Sequence, residues 1–137
     1  MRTFVVAAVL LFTLTASACS RQSPASPSEP GSFVLSPGQS ISYGALTVSF
    51  VGVPADSRCP GDASCVQFAA GDATVVVDTS SGGSSRRSEL QINDAAKRRV
   101  SQGGFVVELT ELSPYPFASR PPIAAGDYRA TILITRD

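Results

Sequence analysis

The sequence predicts an all-β fold: an antiparallel β-sandwich of seven to nine short strands, with an Ig-like topology as first choice and a Greek-key barrel as second. Three observations carry that reading. Apolar and polar residues alternate with a period of two in one segment after another, as in Leu46, Val48 and Phe50 against Thr47 and Ser49. No stretch after residue 32 has the period of an amphipathic helix. Clusters of Gly, Pro, Asn, Asp and Ser bound each alternating segment, which is how short strands are punctuated.

The 137 residues divide into three parts. Residues 1–18 have the layout of an export signal: Arg2, an apolar run from Phe4 to Leu14, then the small residues Ala16-Ser17-Ala18. The run is about 11 residues, well short of the ~20 that a bilayer-crossing helix needs. Residues 19–32 are a tether. Ser20–Ser32 is rich in Pro and Ser and has no large apolar side chain, so it forms an extended spacer reaching up to about 40 Å. Residues 33–137 are the folded domain, and the length allows no second one.

Within the domain, Phe33–Leu35 and Ser40–Tyr43 are expected to form an edge hairpin across Ser36-Pro37-Gly38-Gln39. The strand at Leu46–Phe50 follows, then Cys65–Ala69, Ala73–Thr79, Arg87–Ile92 and Arg98–Gln102. Val75-Val76-Val77 is apolar on both sides, so this strand is expected to be covered on both faces. A hairpin around Asn93-Asp94 would pair Leu90 with Val100 and leave Arg87 and Arg99 in solvent. Phe105, Val107 and Leu109 point inward opposite Glu108 and Thr110. Ser113–Gly126 carries too much Pro for a central strand and reads as a long crossover. The last strand turns Tyr128, Ala130, Ile132 and Ile134 inward, opposite Arg129, Thr131 and Thr135. Between the strands, Cys59 and Cys65 lie among turn formers, and in an exported chain they are expected to form a disulfide.

Two resemblances bear on location. Ala16-Ser17-Ala18-Cys19 resembles the lipobox of bacterial lipoproteins, with Ala16 standing where Leu is usual. That likeness implies lipidation of Cys19 by a diacylglycerol and an amino-terminal acyl chain such as palmitate, a membrane anchor that does not span. Ser20 after the Cys implies the periplasmic face of the outer membrane rather than the inner one. Without the lipid the chain would be secreted. Asp56-Ser57-Arg58-Cys59-Pro60, Cys65-Val66, Gly71 and Val75–Val77, with Leu112-Ser113-Pro114-Tyr115-Pro116 and Asp127-Tyr128 downstream, resemble a family of small uncharacterised exported proteins and lipoproteins of bacteria. The likeness covers residues 33–137 and implies export and a β-rich fold, but no activity. Family members often carry a Trp after the second Cys, where this chain has Gln67-Phe68-Ala69-Ala70.

Composition narrows the function. Eleven Lys and Arg balance 11 Asp and Glu, which argues against nucleic acid as partner. The chain has no His, the commonest general base and metal ligand. Ser is abundant but has no base beyond carboxylates and Lys97, and Glu108 and Glu111 read as surface residues. No catalytic residue, cofactor or metal is therefore expected; the acidic positions lack a calcium-loop spacing. The candidate recognition loop comprises Asp56, Arg58 and Asp62 around the disulfide, with Tyr115 and Phe117 beside Pro121-Pro122. The structural alternative has Asp56 capping a turn and Arg58 paired with a carboxylate. Tyr115 would either sit exposed for a partner or fold its ring onto the sandwich edge. Arg86-Arg87 and Lys97-Arg98-Arg99, interspersed with Glu89 and Asp94, read as a solvated hairpin. The expected protein is a monomeric, non-enzymatic envelope lipoprotein that binds an unidentified protein or glycan. The alternative is an exported protease inhibitor on an Ig-like scaffold, inserting loops 54–64 and 113–126.

Overall fold

The computed structural model describes residues 29–65 and 71–137. The export segment, Cys19, the tether up to residue 28 and the strand expected after Cys65 lie outside the described residues. The strands are β1 (Gly31–Leu35), β2 (Ser40–Tyr43), β3 (Leu46–Asp56), β4 (Ala73–Ser81), β5 (Ser84–Gln91), β6 (Arg99–Gln102), β7 (Phe105–Ser113) and β8 (Arg129–Arg136), with one 3-10 turn at Ala125–Asp127. They form two antiparallel four-stranded sheets, ordered β1-β8-β7-β6 and β2-β3-β4-β5. Because β1 begins at Gly31, the last two residues assigned to the tether belong to the domain.

Alternation places the core where the sequence predicts it. Leu46, Val48 and Phe50 from β3, Val75 and Val77 from β4, Val107 and Leu109 from β7, and Ala130, Ile132 and Ile134 from β8 are all sealed between the sheets. Phe33, Tyr43 and Phe105 meet edge-to-face, with ring centroids 5.9 and 6.0 Å apart, and so join the two sheets near one end.

The connectivity departs from expectation. β2 to β5 run in sequence order through one sheet and β6 to β8 through the other, so the sandwich is a pair of meanders rather than Ig-like or Greek-key. Short turns dictate this. Gly82-Gly83 joins β4 to β5 and Gly103-Gly104 joins β6 to β7, and all four glycines have positive φ, as a type I′ hairpin turn requires. β1 and β2 are not a hairpin: β1 pairs with β8 and β2 with β3. The corner between them is held by bonds from the Gly38 N–H to the Phe50 carbonyl and from the Gln39 N–H to the Ser36 carbonyl. The Asn93-Asp94 segment likewise carries the chain from one sheet to the other, so Leu90 and Val100 do not pair. The Pro-rich connection does not cross over, since Ser113 lies opposite Arg129 in adjacent strands. Val76 is half-buried on the outer face beside Val51, Gly52 and Val53 instead of lying under a second layer.

The sandwich has two unlike poles. At one, tight turns at Gly44, Gly82-Gly83 and Gly103-Gly104 surround Gly31, where the chain enters. At the other, the described parts of the β3–β4 connection (57–65 and 71–72), the β5–β6 connection 92–98 and the β7–β8 loop 114–128 come together.

Candidate functional site

The loop pole is built around Arg58, only 5% exposed. Its guanidinium grips Asp56 through two bonds, Nε to Oδ1 at 2.8 Å and Nη2 to Oδ2 at 2.6 Å. Nη1 donates to the Leu112 carbonyl at 2.7 Å and Nη2 to the Pro114 carbonyl at 3.0 Å. Asp56 also accepts the Arg58 N–H at 3.2 Å and the Tyr128 hydroxyl at 3.1 Å. A charge this deep persists only when it is paired, and here four of the five guanidinium N–H groups donate to protein oxygens. Burial opposes ionisation of Asp56, but the bonds and charge of Arg58 outweigh it and hold the carboxyl below its ordinary range. Burial likewise opposes the charge on Arg58, Asp56 outweighs it, and the guanidinium is held more firmly protonated. Burial, with Asp56 adding to it, pushes the Tyr128 phenol up.

A second lock sits at the rim. The Cys59–Cys65 disulfide, with Cα atoms 6.0 Å apart, closes a short loop that presents Asp62. The Asp62 carboxylate accepts the N–H groups of Ala118 at 2.6 Å and Ser119 at 2.9 Å, and the Gly61 N–H donates to the Pro116 carbonyl at 2.9 Å. Bonding from Ser119 and from these N–H groups lowers the Asp62 carboxyl to about 2. The cystine loop and the Pro-rich loop are thus cross-braced into one surface.

That surface carries two open clefts on either side of Phe117. The larger, about 420 Å³, is lined by Pro54, Pro60, Pro116, Phe117 and Ile123 over a floor of Asp56, Arg58 and Tyr128. The smaller, about 280 Å³, lies between Tyr115, Phe117, Arg120 and Asp127. Tyr115 is 47% exposed and stacks on the Arg58 guanidinium, 5.0 Å from its ring centroid, while Arg120 covers Phe117 at 4.7 Å.

All five predicted site residues therefore meet at one pole, in two layers. Arg58, buried, and Asp56, half-buried, form the floor, as the structural alternative has it: Asp56 caps the turn and Arg58 pairs with it. Asp62, Tyr115 and Phe117 form the surface. Tyr128, Arg120 and the Ala118 and Ser119 N–H groups were not singled out by sequence. Tyr128 showed its inward alternation and its place in the Asp127-Tyr128 piece of the family resemblance, neither of which marks a site, and backbone donors leave no trace in composition. Among the described residues no group of three His, Cys, Asp or Glu is placed to hold a metal ion. No helix among them is long and apolar enough to cross a membrane. Compared with known protein families, curated proteins and solved structures, the chain matches none.

Proposed function

We propose that this chain is a non-enzymatic envelope lipoprotein, held to a membrane by acylated Cys19, whose loop pole binds a protein or glycan partner. One observation carries the reading: two loops far apart in sequence are cross-braced into a single surface of Pro and aromatic side chains with open clefts. Binding surfaces gain when their loops are ordered in advance, because association then costs less conformational entropy. The position of Gly31 supports it too, since a tether leaving the opposite pole keeps the loops away from the anchor.

The test is site-specific photocrosslinking in intact envelopes. A crosslinker at Tyr115 or Ser119 is expected to capture a discrete partner, and one at Gly82 on the turn pole is not. Equal capture from both poles, or from neither, rules the site out. Mass spectrometry of the mature amino terminus is expected to find an acylated Cys19.

The inhibitor reading keeps one observation in its favour, the side-by-side placement of loops 57–65 and 114–128. Its Ig-like scaffold is replaced by the meander sandwich. Dose-dependent inhibition of a protease, abolished by Tyr115→Ala, would select it.

A further inference from the structure

We propose that the free edge of β5 is a self-complementary surface through which two copies of this chain join into a symmetric dimer.

β5 is an outer strand of its sheet, bonded to β4 alone. Its N–H and C=O groups point alternately toward β4 and away from it. The direction at each residue is fixed at the end of the strand, where the Gln91 N–H turns away to the Lys97 carbonyl and the Ile92 N–H turns back to the Ala73 carbonyl. Arg87 and Glu89 therefore present their backbone groups outward. The Lys97 carbonyl occupies one end of the edge, and at the other, beside the β4–β5 turn, the Gln102 side chain reaches Ser84, its Nε2 donating to the Ser84 carbonyl. Between these stops, Ser85 to Leu90 has no backbone partner on its outer side among the described residues. A groove of about 450 Å³, bordered by Arg86, Glu89, Lys97 and Arg99, runs along it.

Arginines on an edge normally keep strands apart. Here their spacing selects one pairing instead. Outward-facing residues bond in antiparallel pairs with other outward-facing residues, so only alternate registers are available to a second β5. Centring the pair on Arg87 sets Arg87 against itself, centring it on Arg86 sets Arg86 against itself, and centring it on Glu89 sets two carboxylates together. Centring it on Ser88 sets each Arg87 opposite the Glu89 of the other copy, twice over, with a reciprocal pair of backbone bonds at each. Arg87 already bonds Asp78 through Nε and Nη2, which leaves Nη1 for this contact. Glu89 has no cationic partner among the described residues.

An independent observation falls on the same axis. The Ser88 hydroxyl is enclosed and has no hydrogen-bond partner. In this register it faces its own copy across a non-hydrogen-bonded pair, where Cα atoms approach to about 4.5 Å and two hydroxyls bond readily. The contact is isologous and closes at two copies. It sets the two loop poles at opposite ends, so a dimer would offer two binding surfaces facing away from one another. This revises the monomer expected from sequence and does not depend on what the loop pole binds.

Sedimentation velocity on the intact chain over a range of concentrations tests it. Wild type is expected to show a reversible monomer–dimer equilibrium with nothing larger. Glu89→Arg and Arg87→Glu, each placing like charges together twice, are each expected to weaken dimerisation about tenfold or more. Mixed in equal amounts, the two variants are expected to regain dimers, because each mixed pair restores Arg opposite Glu at both positions. Far-UV circular dichroism checks the fold of each, and Glu89→Arg, which touches no pair within the monomer, suffices alone if Arg87→Glu misfolds. A wild type that stays monomeric overturns the proposal, as does a dimer that both variants leave intact, including one linked through Cys19.

Discussion

Arg58 carries the largest single share of the loop pole. It neutralises Asp56 and at the same time satisfies the Leu112 carbonyl at the end of β7 and the Pro114 carbonyl that opens the β7–β8 loop, so removing it orphans several groups together. Arg58→Met is expected to cost about 3 kcal/mol, read as a lowered urea midpoint, since breaking one side of a buried pair leaves the other charge uncompensated. Arg58→Lys is expected to recover little of it, because an ammonium cannot make the forked contact. Acid acts on the same pole. In the unfolded chain Asp62 titrates near its usual 3.8, while in the fold it holds its proton only near 2. Between those values the unfolded chain binds a proton that the folded one refuses, so lowering the pH favours unfolding there. Stability is expected to be full above about pH 5 and to decline as pH falls toward 2, with Asp56 adding in the same direction. Asp62→Asn is expected to flatten part of that decline in urea midpoints measured against pH.

The elements divide by how local their causes are. Leu46, Val48 and Phe50, or Ala130, Ile132 and Ile134, state their strand and its inner face by alternation alone, and the structure buries all six. Strand order is harder to read, because pairing depends on which turns are tight. The decisive signals were present in Gly82-Gly83 and Gly103-Gly104, whose doubled glycines mark two-residue hairpins. The corner at Ser36–Gln39 resembles a hairpin turn in composition, and what separates it from one is the distant pairing of its flanks, β1 with β8 and β2 with β3. The site was legible as a neighbourhood but not as layers. Arg58 reads as a surface charge until its distant carbonyl partners at Leu112 and Pro114 are in place. Gly71 tests the β3–β4 connection. It has φ +59, and a Cβ there would run into the backbone carbonyl of Ser57, so Gly71→Ala is expected to destabilise by about 2 kcal/mol. Replacing Cys59 and Cys65 by Ala is expected to cost about 2 kcal/mol in the same denaturation experiment, through the freedom returned to the unfolded chain.

For the whole molecule, β1 is the closing piece. Among the described strands it alone has no sheet partner next to it in sequence, and it covers the flank of β8 while Leu35 completes the core. A chain beginning at Glu29 is therefore expected to melt at the same temperature as the longer form. One beginning at Ser36 is expected to aggregate or fail to fold, having lost Leu35 and bared β8. Thermal melts with size-exclusion chromatography distinguish the two outcomes.

The placement of Gly31 opposite the loops also decides how the domain answers force. A pull between that residue and the loop pole draws β1 lengthwise against β8, with the ladder bonds lying across the line of tension. Loaded so, the rungs yield together by sliding and not singly by peeling, and a protein stretched between its two poles resists with all of β1 at once.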